Sequence, residues 1–192
     1  TLTYSHVIPG LWYTVTATNA AAICQRWFRD LACSEEKREA AALGVSPYAL
    51  IDRQAENAPP GAHGVFFHPY LSGERSPYWD SNLRGSFIGL NMGTSRGDLA
   101  RALLEGVAFS LRDCHRPLEQ MRLPVSEYIL IGGGAKSLLW SRILCDLFQA
   151  PCAVPAAGDA SFGSALLAGV GIGVFPDAAS AIHVVEKLRR EV

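Results

Sequence analysis

Three consecutive glycines, Gly132-Gly133-Gly134, follow Glu127-Tyr128-Ile129-Leu130-Ile131 and precede Ala135-Lys136-Ser137-Leu138-Leu139-Trp140. The order reads as a buried strand, a glycine turn and a helix start. With no side chain between strand end and helix, the backbone is free to adopt positive φ angles and to lie close against a ligand. A tight strand-to-helix connection has the same need, so this stretch alone leaves a ligand turn and a plain connection equally open.

The remaining chain supplies the context. Residues His6 to Thr16 place β-branched and aromatic residues on either side of Pro9-Gly10, which predicts a hairpin at a sheet edge. Ala20 to Leu31 predicts a first helix, with Thr18 or Asn19 as its cap and Ile23, Trp27 and Leu31 on its inner face. Cys33 to Ala41 reads as charged and exposed, and Ser46-Pro47 to Asn57 as a short surface helix with proline in its first turn. Val65-Phe66-Phe67 predicts a short strand, and Gly85 to Leu90 another, with glycines where a second backbone comes close. Between them, Pro69 to Asp80 mixes aromatics, Glu74-Arg75 and two prolines; it reads as a rigid, partly buried packing loop.

Ser95 and Asp98 have capping-box spacing for a long helix to about Met121, with Leu99, Leu103, Val107 and Leu111 in one stripe and Asp98, Arg101 and Glu105 on a solvated face. After the glycine stretch, Ser137 caps a helix turning Trp140, Leu144, Leu147 and Phe148 inward, which Pro151 ends. Cys152 to Pro155 predicts a strand, Gly158 to about Val170 a helix of small residues packed tightly on a sheet, and Ala178 to Arg190 an amphipathic final helix. Strand, helix, strand, helix in the second half implies a parallel sheet, and the hairpin in the first half makes the whole an α/β fold with a mixed sheet.

A length of 192 residues suits one well-packed core. With 49% apolar and 18% charged residues, no membrane-length apolar run, a formal charge of −1 and no Lys/Arg cluster, a nucleic-acid or membrane surface is disfavoured and a small ligand expected. Cys24, Cys33, Cys114, Cys145 and Cys152 are odd in number and without a Cys-x-x-Cys pair, so they read as reduced core residues of a cytoplasmic protein. The chain starts Thr1-Leu2-Thr3-Tyr4 without Met, which suggests a processed or excised piece. Lys136 does not stand in a Gly-Lys-Ser/Thr phosphate loop, and Ser137 occupies the place of a dinucleotide fingerprint's last glycine. Gly169 to Gly173 reads as a helix end, Gly158 to Gly163 lacks a nucleophile elbow, and His63 with His68 offers only a weak metal pattern.

Phe66-Phe67-His68-Pro69-Tyr70-Leu71-Ser72-Gly73-Glu74-Arg75-Ser76-Pro77, Arg84-Gly85-Ser86-Phe87-Ile88-Gly89-Leu90, Leu103-Leu104-Glu105-Gly106-Val107-Ala108 and Ile131-Gly132-Gly133-Gly134-Ala135 resemble the C-terminal domain of FGGY carbohydrate kinases, xylulokinases most of all. His6 to Trp12 and Ser161 to Gly169 fit the same pattern, so the resemblance covers nearly the whole chain in order. It implies an actin-like ATPase (ribonuclease H-like) domain, residues 1–192, without its first strands and without the N-terminal sugar-binding domain. It implies ATP and Mg²⁺ as cofactors, a small sugar and the N-terminal kinase domain as partners, and a homodimer as an open option. The catalytic aspartate belongs to that N-terminal domain, so no catalytic residue is assigned here and the chain alone should be silent. On the adenosine side the resemblance assigns Gly133, Gly134 and Ala135, with Leu138 where related glycerol kinases place an Asn toward adenine. Opposite them it assigns Ala22 and Arg26; Arg26 stands where Gln or Asp is expected, and would stack on the base, reach a phosphate or face solvent.

Overall fold

The computed structural model describes residues 2–156, 160–186 and 189–191. The chain forms two compact units, Thr1–Val15 with Pro124–Val192, and Thr16–Leu123. The single core expected from length is therefore two, because the middle segment gathers Val65, Phe67, Leu103, Leu104 and Val107 around its own long helix.

The first unit opens with strands β1 (Leu2–Ser5) and β2 (Trp12–Val15), paired antiparallel with Tyr4 opposite Tyr13. The hairpin is as expected, but its first strand lies before His6. His6 belongs to the turn because its Nδ1 accepts from the Ile8 amide at 3.0 Å while its own amide donates to the Leu11 carbonyl at 2.9 Å.

The second unit carries helices α1 (Ala22–Ala32), α2 (Ser34–Leu43) and α3 (Pro47–Glu56), strands β3 (Phe66–His68) and β4 (Ser86–Ile88), and the long helix α4 (Arg96–Gln120). Helix α1 buries Cys24, Gln25 and Phe28, not the expected stripe; Ile23 is 44% and Leu31 69% exposed. Phe28 sets this face by packing against Phe87 of β4, with ring centroids 6.5 Å apart. Neither Thr18 nor Asn19 caps α1, because both are drawn to a carboxylate. Thr18 Oγ1 donates to Glu74 Oε2 at 2.7 Å, and the Asn19 and Arg75 amides donate to Glu74 Oε1 at 2.9 and 2.7 Å. Buried Glu74 thus ties the Pro69–Asp80 loop to the chain entering α1, consistent with a packing role for that loop.

The segment from Cys33, expected charged and exposed, forms helix α2 and buries Glu36 and Ala40. Its Glu36 is buried, accepting from Gln54 Nε2 at 2.6 Å and Arg96 Nη1 at 2.7 Å. Helix α4 starts as its sequence predicts: Ser95 Oγ accepts from the Asp98 amide at 3.1 Å, and Asp98 Oδ2 accepts from the Ser95 amide at 2.8 Å. The expected solvated face of α4 is corrected. Asp98 and Glu105 are buried, because the turn before β3 packs over them. The Gly61 amide donates to Glu105 and Arg101 Nε donates to Glu105 Oε1 at 2.6 Å, while His63 Nδ1 lies 2.8 Å from Asp98 Oδ1.

The α4 and β3 backbones meet at Gly106, where a Cβ would collide with the Phe67 carbonyl oxygen and stand 3.0 Å from its carbon. Gly89 likewise faces the Gly64 carbonyl, as the glycines flanking β4 suggest.

The first unit resumes with β5 (Tyr128–Ile129), α5 (Leu138–Phe148), β6 (Cys152–Pro155), α6 (Ala160–Gly171), α7 (Ala178–Glu186) and β7 (Arg189–Glu191). β5 runs parallel to β6 and β7 antiparallel to it, so this sheet is mixed. The strand before the glycines is two residues long and less buried than expected, with Ile129 40% and Ile131 64% exposed. Helix α5 buries Leu139, Trp140, Ser141 and Ile143, whereas Leu144, Leu147 and Phe148 are only partly covered.

Two further expectations change. Helix α6 buries no residue and packs beside α7, so the tight packing on a sheet expected of it is not found among the described residues. Gly158 and Asp159, expected at its start, lie outside the described residues. The final helix ends at Glu186, and Arg189–Glu191 instead pairs with β6, supplying its second edge with hydrogen bonds; Lys187 and Leu188 lie outside the described residues.

Candidate functional site

The glycine turn joins β5 to α5. Gly132 has φ +81, a value at which a side chain is strained, and Gly133 to Lys136 coil into a single 3₁₀ turn. Ser137 then caps α5, its Oγ accepting from the Trp140 amide at 3.0 Å. Gly132 and Gly133 are exposed and a Cβ on either would meet nothing within 4 Å, so both present open backbone. Gly134 differs. A Cβ there would stand 3.0 Å from Trp140 Cζ3, so this glycine lets the indole pack under the turn. Ala135 is buried beside it, and Leu138, the first residue of α5, is 43% exposed.

The structure thus places Gly133, Gly134, Ala135 and Leu138 on one continuous stretch of the first unit. In the second unit, Ala22 and Arg26 lie four residues apart on the exposed side of α1, beside Ile23.

His63 and His68 do not converge on a metal: His63 pairs with Asp98, and His68 Nδ1 contacts Ser86 Oγ at 2.9 Å. Among the described residues no group of three or more His, Cys, Asp or Glu side chains could hold a metal ion. Asp98 is pulled down to about 2, first by the hydrogen bond from His63 and then by those from Ser95. Burial, first, and Glu74 nearby push the Cys24 thiol up to about 12; burial also raises Cys33 and Cys114 to about 11. These thiols are protonated at neutral pH.

The sequence reading missed a cavity of about 460 Å³ in the second unit, walled by Phe66, Tyr70, Tyr78 and Phe109 with Ser110 and Asp113. Tyr78 Oη donates to Asp113 Oδ2 at 2.7 Å, and this bond, followed by burial, holds its phenol above the ordinary range. Its only sequence signal is the aromatic density of residues 66–79.

Comparison with known proteins decides the family. The profile of the C-terminal domain of the FGGY family of carbohydrate kinases matches residues 1–172. The chain belongs to that family. Among curated relatives, a gluconokinase of Bacillus subtilis (strain 168) is 37% identical over 160 residues, covering 83% of this chain and 31% of its own length. A xylulose kinase of Staphylococcus epidermidis is 31% identical over 186 residues, covering 96% of this chain and 36% of its own length. The solved xylulose kinase from Rhodospirillum rubrum is 29% identical, with a TM-score of 0.76 over 99% of this chain and 36% of its own. This FGGY domain therefore has the α/β, actin-like (ribonuclease H-like) fold, and it spans about a third of the length of the curated relatives it matches. No helix among its described residues is long and apolar enough to cross a membrane.

Proposed function

We propose that this domain is the ATP-holding, C-terminal part of a cytoplasmic carbohydrate kinase that transfers the γ-phosphate of ATP to D-xylulose, giving xylulose 5-phosphate. The observation carrying this reading is the match across residues 1–172 to a kinase domain, supported by the likeness to a solved xylulose kinase. An N-terminal domain, implied by the share of the relatives left uncovered, supplies the sugar pocket and the general base. The 37% identity to a gluconokinase favours gluconate as the second substrate to test.

In the transfer, the sugar hydroxyl attacks the γ-phosphorus in line, ADP leaves, and the hydroxyl proton passes to the base in the other domain. Mg²⁺ offsets charge on the phosphates when bound. The part of this chain is to hold and orient the nucleotide. The bare backbone at Gly133 and Gly134 allows a nucleotide to lie against the turn, with Ala135 and Leu138 giving apolar contact; for Ala22 and Arg26 the support is the family resemblance alone. Leu138 neither donates nor accepts a hydrogen bond, so recognition of adenine there is by packing.

Gly133→Val tests this, since its Cβ enters open space whereas Gly134→Val would also displace Trp140. In the full-length enzyme the expected result is at least a tenfold rise in KM for ATP with the sugar KM and the circular dichroism spectrum unchanged. An unchanged ATP KM refutes the assignment. The isolated chain should be silent, and ATP-dependent phosphorylation of D-xylulose by it alone would overturn the division of labour. A panel of D-xylulose, gluconate, ribulose and glycerol then ranks the acceptors.

A further inference from the structure

Hydrogen bonds and one packing contact close a circuit beneath the glycine turn. The Ser137 amide donates to the Gly134 carbonyl at 3.1 Å, which ends the 3₁₀ turn. Ser137 Oγ accepts from the Trp140 amide at 3.0 Å, and the Ser137 carbonyl from the Ser141 amide at 3.0 Å, so the start of α5 is pinned to the same residue. The side chain of Trp140 then returns to Gly134. A Cβ on that glycine would stand 3.0 Å from Cζ3, 3.2 Å from Cε3 and 3.7 Å from Cη2, so the six-membered ring of the indole fills the place of the missing side chain. Gly134 has no positive φ, and it is this ring, not the backbone, that excludes a side chain there. Trp140 is buried, whereas Gly133 is exposed with open space where its Cβ would be. One ring thus occupies the inner side of the turn, and the outer side is open.

From this arrangement we infer that Trp140 is a positioning residue for the nucleotide, fixing from behind the backbone of Gly133 and Gly134 on which the ligand lies. The inference rests on the reading of this turn as a nucleotide wall. Consecutive glycines have more backbone freedom to lose than any other residues, and a single 3₁₀ turn has poor hydrogen-bond geometry, so the turn's own bonds hold it loosely. A close-packed ring beneath it leaves no room to sink or tilt. Binding to a turn already held in shape avoids the cost of ordering it, so the indole favours binding without touching the ligand. Truncating the ring therefore weakens ATP binding although every group in contact with ATP is kept.

The test uses the full-length enzyme, with ATP KM, sugar KM and kcat measured for Trp140→Leu, Trp140→Phe, Gly134→Ala and the double variant Gly134→Ala/Trp140→Leu beside Gly133→Val. Trp140→Leu should raise the ATP KM about fivefold, a larger factor than its fall in kcat, with the sugar KM unmoved. Trp140→Phe, which keeps an aromatic ring under the turn, should lie between Trp140→Leu and the parent. Lost stability alone acts differently, since a smaller folded fraction lowers the apparent kcat and moves neither KM. Gly134→Ala should also raise the ATP KM, because its methyl group enters the space of the indole. In the double variant that methyl group takes the space left by Cζ3 and Cε3, so the ATP KM should stay at or below the larger single effect. An ATP KM equal to the parent's in Trp140→Leu or in Gly134→Ala, or a double variant at the product of the two single effects, overturns the inference; if Trp140→Leu does not fold, Gly134→Ala decides. Where it is overturned while Gly133→Val still raises the ATP KM, the nucleotide wall stands and only the role of Trp140 falls. With Gly133→Val silent as well, the wall falls too.

Discussion

Replacing Gly106 with alanine should destabilise the domain, against the usual preference of helices. Gly106 is interior to α4, where exchanging glycine for alanine gains about 1 kcal/mol of intrinsic helix propensity. The new methyl group, however, would collide with the Phe67 carbonyl oxygen and stand 3.0 Å from that carbonyl's carbon. Phe67 pairs with Phe87 in the β3–β4 ladder and stacks on the Trp27 ring at 6.1 Å, so neither the strand nor the helix yields by a side-chain rotation. Overpacking of this kind costs about 1–3 kcal/mol, and opposed backbones put this case at the upper end. The balance is a net loss of about 2 kcal/mol, roughly thirtyfold in the unfolding equilibrium and a Tm lower by about 4–8 °C. Gly163→Ala is the internal control: Gly163 is interior to α6 and its Cβ would meet nothing within 4 Å, so it should gain about 0.5–1 kcal/mol. Urea unfolding followed by far-ultraviolet circular dichroism, with slope and midpoint compared, reads both. A Gly106→Ala midpoint equal to or above that of the parent refutes the claim that backbone contact makes this glycine necessary.

Glu74→Ala should cost about 3 kcal/mol or more, since it strands the Thr18 hydroxyl and the Asn19 and Arg75 amides together; Glu74→Gln, which keeps a carbonyl acceptor, should recover part of that loss in the same unfolding experiment. Asp98 titrates lower in the folded chain, about 2, than its ordinary value of 3.8, so its stabilisation is complete above about pH 4 and is lost as pH falls toward 2. Asp98→Asn should flatten the stability profile in that window and nowhere above it; an unaltered acid slope would show that the bond to His63 carries no weight.

Local chemistry was readable wherever a residue's nearest partners lie in sequence. The Ser95–Asp98 box, Ser137 as a cap, Pro47 opening α3 and the hairpin at Pro9-Gly10 all depend on groups a few positions apart. Burial of charge was not readable, because it depends on what arrives from elsewhere. Asp98, Arg101 and Glu105 have the spacing of a solvated helix face, and only the arrival of Gly61 and His63 turns that face into an interior network. Helix α1 fails for the same reason: its inner side is chosen by Phe87, 59 positions beyond Phe28. The family, in contrast, was legible from the runs at residues 66–77, 84–90, 103–108 and 131–135, whose order in the chain no periodicity could supply.

The glycine run, ambiguous at first between ligand turn and connection, separates into positions with different reasons for being glycine. Gly132 is required by its φ of +81 and Gly134 by the Trp140 ring beneath it, so both are accounted for by the fold of the turn itself. Gly133 has an ordinary backbone conformation and open space where its Cβ would be, so the chain alone gives no reason to withhold a side chain there. If an external molecule imposes that requirement, substitution at Gly133 should alter nucleotide affinity and leave stability untouched. Substitution at Gly134 should change both at once, and Gly132→Ala should act mainly on stability. Measured in one full-length background, this three-way pattern distinguishes a ligand wall from a connection in a way that a single glycine variant does not: equal stability losses at all three positions, with no change in ATP KM, would return the turn to a purely structural role.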